Sequence, residues 1–136
     1  MAEIQYIIWK DLNSVGLPEL DSHHQLLIGL INRLYNSIQS DPSGDQSNNL
    51  IHDLQGYAKM HFHREENLFG DTDYPDMAIH KRAHQKYDMT FRELLRAPFV
   101  RPMTISYETL QFLKEWWLKH INQMDKGYAP FVKKDL

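Results

Sequence analysis

The sequence contains no cysteine among its 136 residues. Disulfide bonds, iron–sulfur clusters, thiolate zinc sites and cysteine nucleophiles are therefore excluded together. No apolar run approaches the roughly 20 residues that a membrane span needs. Residues 1–10 mix charged and polar side chains among the apolar ones, unlike a signal or transit peptide. We therefore expect a soluble, cytoplasmic protein without membrane insertion.

An excess of positive charge is also missing. Fifteen Lys and Arg residues face eighteen Asp and Glu residues, which gives a net charge of −3, and the basic residues are scattered along the chain. Nucleic acid and acidic membrane surfaces are therefore poor partners. Hydrophobic residues make up 42% of the chain and charged residues 24%, values typical of a soluble globular protein. The length suits one domain, which we expect to span residues 1–136.

No stretch alternates between apolar and polar residues for long enough to predict a strand; residues 4–9 come nearest, and this segment is short. Segments rich in Pro, Gly and small polar residues lie at 40–48, 71–75 and 97–102 and separate longer stretches in which apolar residues recur at intervals of three and four. This pattern predicts helices at about 18–39, 47–70, 76–96 and 104–126. We expect an all-α, up-down-up-down four-helix bundle with an N-terminal arm and a short C-terminal tail.

Histidine is unusually frequent, with eight residues in this short chain. Two pairs have the spacing of one helical turn, His61 with Glu65 and His80 with His84, so each pair lies on one helix face. One histidine in each of the first and fourth helices also lies on the apolar face. So many inward polar groups need partners, and metal ions supply them. The six candidates are His24, His61, Glu65, His80, His84 and His120.

Helical spacing does not identify a further carboxylate ligand. Asp125 follows His120 by five residues, which places it about 140° further around an ideal helix. Geometry alone therefore does not favour Asp125 over Asp88 or Glu115. Gly127 follows the fourth helix and is expected to mark its end.

The remaining histidines and one acidic residue are expected to lie outside the site. His52 and His63 fall on the outward face of the second helix and should be exposed. Glu66 should be solvated, as the outward neighbour of Glu65. His23 is rotated from His24 and is either a surface residue or a residue at the border of the site.

Ligand chemistry narrows the choice of metal. Five imidazoles with a small number of carboxylates are too many for one ion and suit two ions that favour octahedral geometry and share carboxylates. Zinc sites are usually tetrahedral and often use sulfur. Ferritin-like di-iron proteins use inward Glu-x-x-His motifs, which this sequence lacks. A site with many histidines and few carboxylates carries less negative charge. We take as a hypothesis that it favours reversible ligand binding over strongly oxidising chemistry.

Four segments carry a family resemblance: DSHHQLLIGLIN from residue 21, HFHREENL from residue 61, HKRAH from residue 80 and HINQMD from residue 120. In this order and spacing they resemble the hemerythrins, in particular the single-domain bacterial branch. The resemblance implies two irons per chain, bridged as Fe–O–Fe or Fe–OH–Fe, with one coordination position left open for dioxygen. It adds Asp125 to the ligands. The implied ligands are His80, His84 and His120 on one iron, His24 and His61 on the other, and Glu65 and Asp125 as bridges.

The implied function is reversible dioxygen binding for storage, transport or delivery to a dioxygen-consuming enzyme, and not enzymatic turnover. A dioxygen or redox sensor and a di-iron peroxidase or oxidase are the alternatives. We expect a monomer. Apolar residues near the ligands are expected to form a dry pocket over the open iron, which admits dioxygen and excludes water. The pocket residues are Leu27, Phe62, Trp116, Trp117 and Ile121.

Overall fold

The computed structural model describes residues 4–41, 43–96 and 107–134, and every regular element in these ranges is helical. The elements are a 3-10 turn at Asp11–Asn13, α1 at Pro18–Ser40, α2 at Asp45–Gly70, α3 at Met77–Arg96, α4 at Tyr107–Lys119, a π-helical turn at His120–Asp125, and α5 at Lys126–Lys134. Helices α1 and α3 each contact both α2 and α4. The predicted all-α four-helix bundle is confirmed. No helix in the described ranges is long and apolar enough to cross a membrane.

The α1 helix shows how the apolar pattern builds the core. Leu20, Leu27, Ile31 and Leu34 recur at helical spacing, and none is more than 1% exposed. Pro18 occupies the first helical turn, where its missing N–H costs nothing. The buried stripe holds α1 against the bundle, and a polar side chain on the same stripe therefore points into the core.

The α4 helix, the π-helical turn and α5 follow one another without a break and form the fourth rod of the bundle, which extends further than the sequence predicts. The expected start at 104 lies outside the described residues. The expected end near residue 126 is wrong, because α5 continues the rod through Gly127 to Lys134 and makes the tail helical. Tyr128 and Val132 are at most 5% exposed, and α5 packs against α2. Burial of these side chains outweighs the roughly 1 kcal/mol by which glycine disfavours a helix.

The N-terminal arm lies along α1. Asn32 accepts a hydrogen bond from the Ile7 backbone N–H at 2.7 Å and donates one to the Ile7 carbonyl at 2.9 Å. One turn later, Asn36 makes the same two bonds with the backbone of Ile4, at 2.9 and 2.8 Å. The two amides thus satisfy arm backbone groups that no strand partner satisfies, and the arm is fixed in register on α1.

Candidate metal centre

All seven predicted ligands lie together in the bundle core. They form two groups of potential ligand atoms, each within 4.8 Å, and both groups contain Glu65 and Asp125. No member is more than 3% exposed. Every rod contributes, α1 and α3 through histidines alone, and α2 and the π-helical turn through a histidine and a carboxylate each. The three-histidine end contains His80, His84 and His120, and the two-histidine end contains His24 and His61.

The three-histidine end has the spacing of ligands around one ion. The Nε2 atom of His120 lies 3.1 Å from the Nε2 atoms of both His80 and His84. Asp125 Oδ1 lies 3.0 Å from the Nε2 atoms of His80 and His120. With metal–nitrogen distances of about 2.1 Å, ligand atoms at right angles are about 3.0 Å apart, whereas tetrahedral ligands are about 3.4 Å apart. The spacing therefore fits octahedral coordination.

The two-histidine end contains close contacts that are not hydrogen bonds. His24 Nε2 lies 2.9 Å from Asp125 Oδ2, and His61 Nε2 lies 2.6 Å from Glu65 Oε1. Despite these distances, both nitrogens and all four carboxylate oxygens are completely buried and lack a partner with hydrogen-bond geometry among the described residues. Unpartnered buried polar atoms are costly and rare. One nitrogen or carboxylate oxygen from each of these four residues lies within 4.8 Å of the others, as expected for atoms that surround a cation.

Both carboxylates lie between the two ends. Asp125 directs Oδ1 to the three-histidine end and Oδ2 to His24, at the distances given above. Glu65 has Oε1 close to His61 and Oε2 3.8 Å from His80 Nε2. Each carboxylate can therefore offer one oxygen to each of two ions. This donor set of imidazoles and shared carboxylates fits a pair of transition-metal ions.

The π-helical turn explains how Asp125 reaches the site. Hydrogen bonds in a π-helix join residues five apart, so the turn is wider than in an α-helix. His120 and Asp125 are the first and last residues of this turn, and their side chains consequently face the same group of potential ligand atoms. On an ideal α-helix the same spacing would have turned Asp125 away. Such turns inside α-helices are frequent at functional sites.

Other side chains contact the ring nitrogens of the predicted ligands that point away from the site. His84 Nδ1 lies 2.8 Å from the Glu66 carboxylate, and the Glu66 side chain is 31% exposed. Glu66 is therefore partly buried and paired, and the expectation that it is a solvated outward residue is wrong. Since a carboxylate accepts only, His84 Nδ1 carries the proton and Nε2 presents its lone pair to the site. Tyr74 approaches His80 Nδ1 at 3.2 Å. The sequence reasoning missed Tyr74, because it lies in a loop before α3.

His23 borders the site, which settles the alternative left open by the sequence. Its Nδ1 lies 2.9 Å from His61 Nδ1, at the two-histidine end. One of these nitrogens donates and the other accepts, which fixes the ring orientation of His61. The predicted exposure of His52 and His63 is confirmed.

The pKa shifts of three predicted ligands indicate which of them are charged. Burial, reinforced by the neighbouring His120 and His80, lowers the pKa of His84 to about 2. Burial also opposes charge on Asp125, but His120 outweighs it and holds the Asp125 pKa well below its usual range. Burial likewise disfavours charged His120, yet Asp125 raises the His120 pKa. Asp125 is therefore ionised and His84 neutral, which are the states in which these groups bind metal, whereas the proton that Asp125 favours on His120 must leave before that ring can bind.

Three of the five predicted pocket residues are aromatic and lie against histidine rings of the site. Phe62 stacks on the His84 ring with centroids 3.9 Å apart, and Trp116 stacks on His120 at 4.3 Å. These two rings cover the three-histidine end. Trp117 is completely buried and reaches His61, with centroids 6.0 Å apart. Leu27 and Ile121 are also completely buried.

Comparisons with known proteins agree with this site. A family model described as the hemerythrin HHE cation binding domain matches residues 15–132. A bacteriohemerythrin of Stenotrophomonas maltophilia is 31% identical over 96% of this chain and 84% of its own. A hemerythrin-like protein of Naegleria gruberi is 29% identical over 88% of each chain. A crystal structure of a hemerythrin variant has the same fold, with a TM-score of 0.82 at 22% identity, over 95% of this chain and 98% of its own. The chain belongs to the hemerythrin family.

Proposed function

We propose that this protein binds dioxygen reversibly at a non-haem, carboxylate-bridged di-iron centre. One observation carries the proposal: the buried ligand atoms form two groups that share Glu65 and Asp125 but differ in their number of histidines. Two irons joined as Fe–O–Fe or Fe–OH–Fe suit this donor set, which contains no thiolate. The proposed ligands are His80, His84 and His120 for one iron, His24 and His61 for the other, and Glu65 and Asp125 for both.

The unequal histidine count supports a binding role. His80, His84 and His120 would hold one iron, His24 and His61 would hold the other, and both irons would share the two carboxylates. The second iron would therefore have one protein ligand fewer, which would leave one coordination position open for dioxygen. When bound, the iron pair would supply the electrons that dioxygen takes up and returns.

The residues around the centre keep water away and hold ligands neutral. Leu27, Trp117 and Ile121 are completely buried and present no polar group except the Trp117 indole N–H, which donates to the Tyr87 hydroxyl at 3.1 Å. Their burial supports the proposed dry pocket at the open position. The Glu66 carboxylate fixes the proton of His84 on Nδ1, so no proton of that ring competes for the site.

The physiological role that we propose is storage, transport or delivery of dioxygen to an enzyme that consumes it. The relatives named bacteriohemerythrin, from Stenotrophomonas maltophilia and Pseudomonas aeruginosa, support dioxygen binding, and the carrier role is our proposal from the site. Two alternatives would use the same site. A dioxygen or redox sensor would bind dioxygen there, whereas a peroxidase or oxidase would convert its substrate repeatedly.

A visible spectrum separates these functions. The iron-loaded protein is reduced without oxygen, exposed to air and then flushed with argon over several cycles. We expect a charge-transfer band that appears with air and disappears with argon, and no band in metal-free protein. Irreversible oxidation with rapid consumption of reductant or peroxide would instead identify an enzyme.

A further inference from the structure

The π-helical turn at His120–Asp125 needs stabilising contacts from the rest of the chain. Such turns are rare because their hydrogen bonding is less favourable than that of an α-helix. Asp125 reaches both ends of the site only while His120–Asp125 keeps this conformation. Contacts that hold the turn therefore also hold a ligand.

The N-terminal arm makes two such contacts. Asn13 Nδ2 donates to Asn122 Oδ1 at 2.9 Å, between residues 109 positions apart in the chain. Asn122 lies in the middle of the π-helical turn. At the end of the turn, Lys126 Nζ donates to the carbonyl of Leu12. The 3-10 turn of the arm thus contacts both the middle and the end of the π-helical turn.

Asn13 is itself held in place. Its side chain is buried, with 3% exposed, and its Oδ1 accepts a hydrogen bond from the Lys10 backbone N–H at 2.8 Å. Both polar ends of the amide are therefore used, one within the arm and one toward Asn122. A buried amide satisfied in this way has a single favourable orientation, so it can fix the position of its partner.

We propose that Asn13, acting through Asn122, is a positioning residue for Asp125, and that the arm is thereby part of the metal site. This inference rests on the proposed function, because it assigns Asp125 as a metal ligand. Residues that orient ligands in other metal sites typically change metal affinity 10- to 100-fold when mutated. Loss of the Asn13–Asn122 bond lets the turn relax toward α-helical hydrogen bonding and moves Asp125 away from one end.

The arm offers a matched control. Asn36 also joins the arm to the bundle, but at Ile4 and on α1, away from the π-helical turn. Asn36→Ala therefore loosens the arm without touching the turn. Asn122→Asp keeps an oxygen that accepts from Asn13 and is the conservative variant.

The test measures iron release from the loaded protein during a challenge with excess chelator, together with the visible band of the diferric form. We expect Asn13→Ala and Asn122→Ala each to release iron about tenfold faster and to shift the band. The double variant should release iron no faster than Asn13→Ala alone, because Asn122→Ala removes only the Asn13–Asn122 bond, which Asn13→Ala already lacks. Asn36→Ala and Asn122→Asp should match the wild type.

The outcomes separate the two proposals. A wild-type chain that binds no iron contradicts the proposed function. Wild-type release rates in Asn122→Ala, or equal acceleration by Asn36→Ala, overturn the positioning role while leaving the iron site intact. If Asn122→Ala does not fold, Asn13→Ala removes the same bond from the arm and decides the question.

Discussion

The two ends of the site are built differently. At the three-histidine end, His80 and His84 come from one face of α3, and Glu66 and Tyr74 hold their far ring nitrogens. Aromatic rings also stack on this end. At the two-histidine end, the histidines come from different helices, and His61 has His23 as a partner on its far nitrogen. The Nδ1 of His24 has no hydrogen-bond partner in the described part of the chain. One end is thus supported on several sides, whereas the other is held by fewer contacts.

Removing a ligand from either end tests this comparison with the largest expected effect. We expect His120→Ala and His61→Ala to lose iron and to destabilise the bundle, because each leaves buried polar atoms without a partner. Iron per chain and thermal unfolding measure both effects. His52→Ala and His63→Ala, at exposed positions on α2, should retain two irons. Two irons per chain in both ligand variants would disprove the ligand assignment.

The same comparison shows what the sequence could predict. His80 and His84 share a helix face because they are four residues apart, and the structure places both in the core. The buried stripe of α1 likewise carries His24 inward. Helical periodicity therefore predicts the bundle and six of the seven gathered residues. Asp125 required the family resemblance, since a π-helical turn changes the period and leaves no mark in the apolar pattern.

Contacts between distant segments were beyond sequence reasoning. Glu66 follows the inward Glu65, so periodicity places it toward solvent, yet His84 on the facing helix draws it into a hydrogen bond. Tyr74 reaches His80 from a loop. Gly127 is a good helix terminator by propensity, but burial of Tyr128 beyond it extends the rod. In each case the deciding interaction comes from another element, which a single-chain pattern does not contain.

The partners of the far nitrogens provide a smaller, graded test. Glu66→Ala removes a charged acceptor from His84, and His23→Ala removes a neutral partner from His61. Since hydrogen bonds to ionised groups are roughly twice as strong as neutral ones, we expect iron affinity to fall toward 100-fold in Glu66→Ala and nearer 10-fold in His23→Ala. Competition with a calibrated chelator measures both. A larger loss in His23→Ala would reverse the view that the three-histidine end is the better supported one.

The pKa values of His84 and His120, both at the three-histidine end, are shifted in opposite directions. These shifts predict how the stability of the metal-free protein depends on pH. The folded pKa of His84 is lowered by burial to about 2, below the unfolded value of about 6.5. The unfolded chain then binds more protons at acid pH, so stability falls as the pH drops below about 6.5. His23, at the two-histidine end, has its pKa lowered by burial and by His61, and acts in the same direction.

His120 acts in the opposite direction. Although burial disfavours its charged form, Asp125 raises its folded pKa, so its contribution is complete below about 6.5 and is lost as the pH rises. We therefore expect the stability of the metal-free protein to peak near pH 6.5, with limbs no steeper than about 1.4 kcal/mol per pH unit for each group. Urea unfolding between pH 5 and 8 measures this. His84→Gln should flatten the acid limb, and His120→Gln the alkaline limb. An unchanged alkaline limb in His120→Gln would mean that the His120–Asp125 pair does not form without metal, and that the cation itself brings these two side chains together.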